Sequence, residues 1–437
     1  MNLLTTLLIT TALAPFAIYF TLKRPLLFPF GLYIMLVPLD GILGATTTIT
    51  RVLAVVTGVA LLFHIILTRR VLAPPKSWYV WAVYVLLASL TALWTMDPEA
   101  TAATLIQLLQ LFAFFTVIAI FPAEPKDVRL VGGMVVASGV LLAGWGLIGY
   151  LGGLRTQEDR LTVAFNGLLI DPNHIAAALI LPIAIAVGAL ISSRDVRLRF
   201  ASLVSTLILI AATFLTGSRG GLIALVVTLL YIAWRTRYRL QILVLMTLGG
   251  LASLALPTVW DRFQDKGLAG GSGRVFIWDA AQAALKDHWL AGAGLGAFPA
   301  AYNHVLFAIY QPVFQGWSRP AHNAYLSAFV EVGIIGGVIH LWAWWQSYRD
   351  SRGNVVIEAG IVGLAVASFF LDILGFKYIW LAFSMALLVK NAAQPKFLRG
   401  EPKPPEVDHA AGRRRLPWRP RGRVAARVER EPAVGNL

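Results

Sequence analysis

Apolar runs of about 20 residues recur along most of this chain, and a helix of that length crosses roughly 30 Å of hydrocarbon. No other feature constrains the fold as much. Of 437 residues, 58% are hydrophobic and 14% are charged, and the mean hydropathy is +0.71. A soluble globular enzyme is excluded. The runs are continuous rather than alternating, and in lipid each segment must satisfy its own backbone, so the pattern reads as helices and not as a β-barrel. The expected fold is an all-α polytopic membrane protein of about 12–13 transmembrane helices with one long loop on the outer side. Spans read near 3–22, 26–40, 49–68, 77–95, 101–121, 129–151, 173–192, 200–217, 220–234, 240–257, 322–347, 355–372 and 376–390. The second is short and holds Pro29 and Pro38, so a peripheral or re-entrant segment is the alternative there. Asn2 to Phe20 has signal-peptide hydrophobicity without a basic n-region or a cleavage site, and reads as a retained helix.

Basic residues orient the spans. Lys23-Arg24, Arg69-Arg70 with Lys76, Lys126 with Arg129, Arg194/Arg197/Arg199, Arg235/Arg237/Arg239 and Arg349/Arg352 all fall on one side, which is cytoplasmic by the positive-inside rule. The organisation is 1–257, N-terminal helices; 258–321, an outer loop with short helices; 322–391, C-terminal helices; and 392–437, a basic tail. Much of the +15 net charge sits in that tail, which is Pro-rich and expected to be disordered beside anionic lipid. No aromatic interleaving accompanies the charge, so nucleic acid is not an expected partner. Zero cysteines exclude disulfides, thiolate metal sites and a cysteine nucleophile.

Four polar clusters then share the outer face: Asp171-Pro172-Asn173-His174, Thr216-Gly217-Ser218-Arg219-Gly220-Gly221, Gly271-Ser272-Gly273-Arg274, and Ala321-His322-Asn323. Each has a structural and a functional reading. Asp171-Pro172 is a helix-start signal in its own right, while Asn173 and His174 beside it could donate to a substrate. Arg219 could anchor at the interface; set between glycines in an apolar turn, its fork also suits phosphate oxygens. Arg274 is either a solvated loop arginine or a second such fork. His322 could simply hydrogen-bond its loop, or act on a proton at working pH. Glu331, nine residues on and roughly 13 Å deeper, points away from His322 and suits a structural pairing with another helix. Gly292-Ala293-Gly294-Leu295-Gly296 lacks a following Lys-Ser/Thr and reads as tight packing rather than a phosphate loop. No metal-ligand spacing appears, and no cofactor is expected.

Together these pieces resemble the O-antigen ligase/polymerase superfamily of bacterial membrane glycosyltransferases. They are Asp171-Pro172-Asn173, Gly217 to Gly221, Gly273-Arg274 with Trp278 and the Gly292 to Gly296 run, and His322-Asn323 with Leu326, Glu331, Gly333 and Gly336. The resemblance covers about residues 160–350. It implies an inner-membrane enzyme whose long loop and active site face the periplasm. It also implies a donor, a glycan on undecaprenyl diphosphate, moved en bloc to an acceptor sugar without a metal and with inversion. Arg219 and Arg274 would hold the diphosphate, with Asn323, Asn173 and His174 as further substrate contacts. His322 would activate the acceptor hydroxyl, and Asp171, Ser218 and Glu331 would support the site. Lipid A-core as acceptor makes a ligase, another repeat unit a polymerase, a protein an oligosaccharyltransferase; the ligase reading leads. A transporter or flippase would also have a dozen spans, but it should show internal repeats and broken helices at mid-depth.

Overall fold

Proline and short polar side chains start the helices where the apolar runs begin. Asp97 accepts from the Ala100 amide at 3.0 Å ahead of Pro98. Asp171 accepts from the Asn173 amide at 2.8 Å ahead of Pro172. Ser218, Asn323 and Asn354 cap three more starts with their side-chain oxygens. Each satisfies amides that have no intrahelical partner.

The computed structural model describes residues 19, 21–37, 47–156, 158–165, 168–253, 273–306, 308–309 and 316–399. Its helices are α1 (Phe30–Leu36), α2 (Thr47–Thr68), α3 (Lys76–Leu90), α4 (Pro98–Ile120), α5 (Pro125–Leu151), α6 (Pro172–Ser192) and α7 (Val196–Leu215). After them come α8 (Arg219–Arg235), α9 (Arg239–Ser253), α10 (Arg274–His288), α11 (Phe298–Val305), α12 (Ala324–Asp350), α13 (Val355–Ser368) and α14 (Lys377–Ala393). Among the described residues seven helices are long and apolar enough to cross a membrane, and 239–251 and 355–368 are shorter apolar helices. The protein is an all-α polytopic membrane protein. The segment read as a span at 26–40 contains a helix of only seven residues, too short to cross. The span read at 3–22 lies almost wholly outside the described residues.

The bundle is organised around α6, which is buried along nearly its whole length from Ile175 to Gly188. A helix apolar on every face belongs in the centre. Small residues let its neighbours approach. A Cβ on Gly139 would meet Pro182, one on Gly188 would meet Val356, and one on Gly363 would meet Thr228 and Ile180. Close backbone approach of this kind is how helices adhere where lipid is as apolar as the side chains.

α12 is not continuous. Gly333 adopts φ 74°, ψ −178° and breaks the helix about a third of the way along. The Gly-rich run 292–296 fills the break. Ala293 donates to the Val330 carbonyl at 2.8 Å, Gly294 donates to the Glu331 carbonyl at 3.0 Å, and Ile334 donates to the Trp289 carbonyl at 2.7 Å. Gly292, Gly294 and Gly296 all have positive φ, and a Cβ there would strike Glu331, Thr95 and Thr104 respectively. The packing role read from sequence is what the run performs. A transporter would also break a helix at this depth, but here the freed groups are paired by protein backbone.

On the opposite face β1 (Val71–Leu72) pairs antiparallel with β4 (Phe397–Arg399), and Ala73 donates to the Lys396 carbonyl at 2.7 Å. The chain expected as tail from 392 is therefore helix to Ala393 and strand at 397–399; 400–437 lies outside the described residues. Helix alternation puts the basic loops at 69–76, 193–199, 235–239 and 349–352 on this face, away from 91–97 and 316–323.

Two outcomes follow. Ser318 and Gln394, both exposed, should label from opposite sides of the membrane when each is changed to cysteine in this cysteine-free chain; labelling from one side contradicts the topology. Gly333→Ala should destabilise by about 2 kcal/mol or more, through positive φ and a collision with the Leu290 carbonyl. Thermal unfolding in detergent reads it, and an unchanged midpoint would mean that the break does not depend on glycine.

Candidate functional site

The candidate site is drawn from the first turns of α6, α8, α10 and α12, which helix alternation puts at one end of the bundle. Each of these helices begins with a polar cluster, and loop segments fasten the starts to one another. The loop from α5 to α6 folds over the end of α7. It carries a small hairpin of β2 (Ala164–Phe165) and β3 (Leu168–Leu169), and the Leu161 amide donates to the Leu215 carbonyl at 2.8 Å.

Arg160 joins the first two clusters. It is 8% exposed. Its Nε donates to the Thr216 carbonyl at 2.7 Å and its Nη2 to Asn173 Oδ1 at 3.0 Å, while Nη1 lies 3.5 Å from Glu158. Asn173 in turn donates through Nδ2 to Asp171 Oδ1 at 2.9 Å. One planar guanidinium thus holds the start of α6 against the turn before α8. Sequence reading passed over Arg160. The available signal was a basic residue in a loop assigned to the outer side, where the positive-inside rule disfavours it.

Around Arg219 the turn is set by Gly217 at φ 58° and by Ser218, whose Oγ accepts from the Gly221 amide at 3.1 Å. A Cβ on Gly221 would strike Ala176, and one on Gly220 would strike Phe370. Close packing of α8 against α6 and the 369–376 segment is the immediate reason for both glycines. Arg219 is the first residue of α8 and half-buried. Arg274 is likewise the first residue of α10, after Gly273 at φ 74°. Trp278, one turn further on, donates from Nε1 to the Ala321 carbonyl at 3.0 Å. That bond seats the His322 turn on α10.

His322 is half-buried with φ 49°, an uncommon conformation for a side-chain-bearing residue. Burial pushes its pKa down to about 4, helped by the charges of Arg274 and Arg319 and by His174, against a smaller upward pull from Asp171. Charges from two other clusters, at Asp171 and His174 and at Arg274, thus act on the His322 ring. With its charge suppressed, the imidazole is neutral across the physiological range and can accept a proton.

The other expected residues take more structural positions. Asn323 spends its Oδ1 capping α12, on the amides of Tyr325 at 3.1 Å and Leu326 at 3.0 Å. His174 stacks on Phe376 at 4.2 Å between centroids and shares a 3.3 Å contact with Tyr378 OH. It lines, with Asp171, Lys377 and Tyr378, a cavity of about 180 Å³. Glu331 is buried and accepts from the Phe298 amide at 3.4 Å at the start of α11, the pairing with another helix expected of it. Sequence reading missed Asp372, which accepts from Ser327 Oγ one turn below His322. Its signal was a carboxylate closing an apolar run.

Residues 204–341 match the protein family described as O-Antigen ligase. Over that segment, about a third of its length, the chain is similar to the O-antigen ligase family. No curated protein matches the chain. The matched segment holds Arg219, Arg274, Arg319 and His322, whereas Arg160 and the Asp171 cluster precede it. That similarity, with the apolar helices, points to a multi-pass membrane enzyme of glycosyltransferase type and, in general terms, to lipid-linked glycans.

Because one guanidinium serves both Thr216 and Asn173, Arg160→Lys should be a poor replacement. We expect a loss of about 2 kcal/mol or more in stability, since bonds to a charged donor are lost inside the protein, with transfer reduced in parallel. Thermal unfolding of Arg160→Lys and Arg160→Ala tests this; a lysine variant as stable as the parent would show that only charge matters there.

Proposed function

We propose that this protein is an O-antigen ligase-type transferase, acting at the periplasmic face of the inner membrane. It would move a glycan en bloc from undecaprenyl diphosphate to a sugar hydroxyl of lipid A-core, without a metal and with inversion at the anomeric carbon. One observation carries this reading. Arg274, Arg319, Asp171 and His174, from three separate segments, all act on the His322 ring, within a chain that matches the O-antigen ligase family.

The chemistry follows from these groups. Arg219 and Arg274 offer planar forks that pair with the oxygens of a diphosphate. The acceptor O–H attacks the anomeric carbon from the face opposite the diphosphate. The new C–O bond forms as the sugar–phosphate C–O bond breaks, and its electron pair leaves on the phosphate oxygen. His322 takes the hydroxyl proton. Fixed guanidinium groups in a site screened from water stabilise the charge that grows on the leaving phosphate. An imidazole with a pKa near 4 is a weak base. A bound diphosphate offsets the Arg274 charge that helps hold it down, so donor binding lifts His322 toward the range where it works best.

His322→Ala should lower transfer by about 10²–10⁴-fold while donor affinity is largely kept. Arg219→Lys and Arg274→Lys should each lose donor affinity despite keeping the charge. Donor binding and single-turnover transfer on purified protein separate the roles; a His322→Ala protein as weak in donor binding as Arg219→Ala makes the histidine a diphosphate ligand instead. In a deletion strain the core should lack glycan while long lipid-linked polymer accumulates. Core carrying one repeat unit would mean a polymerase.

The acidic limb supplies an independent check. His322 acts unprotonated, so a lowered pKa extends activity to lower pH. The value of kcat/KM, which reports the free enzyme, should hold through pH 6.5 and fall only toward about 4. The limb in kcat, which reports the donor complex, should lie higher. Coincident limbs at the ordinary imidazole value would remove the role given to the arginines in tuning His322.

A further inference from the structure

Glycan release changes the charge of the diphosphate. In the donor each phosphoryl group is a diester and carries one negative charge. In the leaving group the terminal phosphate becomes a monoester with a second ionisation near pH 6, so charge of about −1.5 to −2 sits on it at neutral pH. Two arginines match the donor. A third cation, placed by the breaking bond, would match the charge that appears only as the bond breaks, and that is the kind of contact that accelerates a reaction.

Arg319 is the candidate, since its charge acts on the His322 ring. It stands three residues before His322, in a turn bracketed by two side-chain-bearing residues of positive φ, Ser318 at 54° and His322 at 49°. Both ends of the turn are fastened. The Ser318 amide donates to Asn303 Oδ1 at 2.8 Å on α11, and Asn303 Nδ2 donates back to Ser318 Oγ at 3.2 Å. The Ala321 carbonyl accepts from Trp278 on α10 at 3.0 Å, and Ala321 is fully buried. A conformation that costs energy at two residues persists only where surroundings over-determine it, and such places cluster at functional sites. What the turn presents is a half-buried guanidinium whose buried Nε has no hydrogen-bond partner among the described residues. No carboxylate pairs with Arg319 among the described residues. A buried donor left without an acceptor is destabilising, and the ligand best suited to complete it is an anion arriving beside His322.

We propose that Arg319 is a third phosphate-binding arginine, directed at the terminal phosphate of the leaving diphosphate and holding it more tightly than it holds the glycosylated donor. This rests on the proposed transferase reading. It gives the turn before His322 a purpose that neither helix capping nor acceptor activation supplies.

The test uses the purified full-length protein at pH 8, where the terminal phosphate is fully ionised. Two probes are compared: farnesyl diphosphate, which has a free terminal phosphate, and a farnesyl diphosphate-linked disaccharide, which does not. Arg319→Gln should weaken farnesyl diphosphate by about tenfold or more, change the glycosylated probe by less than about threefold, and lower kcat at nearly constant KM. Arg319→Lys, which keeps the charge without the fork, should fall between. It also serves should the glutamine variant fold poorly, as judged by thermal unfolding. Equal weakening of both probes makes Arg319 a ground-state ligand and overturns the proposal. So does unchanged binding of both. A third overturning result is unchanged probe binding with transfer lost only to phosphate-bearing acceptors, which would assign the arginine to the acceptor. Parent protein that binds neither probe removes the transferase reading itself, whereas parent protein that binds both while Arg319→Gln is silent removes only Arg319.

Discussion

The interrupted helix at Gly333 is the constraint on which the rest of the outer face depends. Breaking a helix inside a bundle frees amides and carbonyls that lipid cannot satisfy. The Val330 and Glu331 carbonyls and the Ile334 amide are taken up by the backbone between Trp289 and Gly294. Only a stretch with three left-handed glycines can enter so closely, because a side chain at any of them would collide with Glu331, Thr95 or Thr104. The arrangement locks the segment after α10 into the membrane part of the protein. It also anchors α11, whose first amide reaches the Glu331 carboxylate. With both helices fixed, Arg274 at one end and the Asn303 contact to Ser318 at the other define where the His322 turn can lie.

The site is thus assembled from helix starts rather than from one rigid element. Asn323 caps α12 and is joined to Asp372 through the helix it begins, since the Ala324 amide donates to the Leu371 carbonyl at 3.1 Å and Ser327 bonds Asp372. Arg160 performs the corresponding task between α6 and α8. Two side chains expected to contact substrate also hold the protein together: Asn173 accepts from the Arg160 side chain, and Asn323 accepts from two amides. Beside these anchored side chains, the charges of Arg274 and Arg319 act on the His322 ring.

The opposite face is held by two polar knots. Fully buried Glu358 accepts from Arg235 at 2.8 Å, Tyr231 at 2.6 Å and the Gly353 amide at 2.9 Å. Asp350 accepts from Ser77 and Lys390. A buried carboxylate with several donors adds less stability than its contacts suggest, but removing one partner leaves a charge uncompensated. Their effect is to fix which helices meet, tying α8 to α13 and α3 to α12 and α14, so that the far ends of the same helices arrive together at the site.

Membrane character, several helix starts and the gathering of polar clusters at one end of the bundle were legible in the chain, because each depends on local pattern: apolar run length, Asp-Pro and Ser or Asn caps, and the alternation of helices. His322, Arg219 and Arg274 could be picked out for the same reason, as charged or titratable groups in apolar and Gly-rich surroundings. The Gly292 to Gly296 run was rightly read as packing, but its partner was invisible, since Gly333 lies 37 residues beyond Gly296 and meets it only through backbone bonds. Arg160, Arg319 and Asp372 acquire meaning only when distant segments touch. A guanidinium shared between Thr216 and Asn173, or a carboxylate set under the start of α12, leaves no periodicity or motif in the sequence. Local rules depend on neighbours along the chain, and so the chain by itself determined what could be helical, apolar or capped. Which charges share one small volume depends on how close-packed helices cross, and that was decided by the tertiary structure alone.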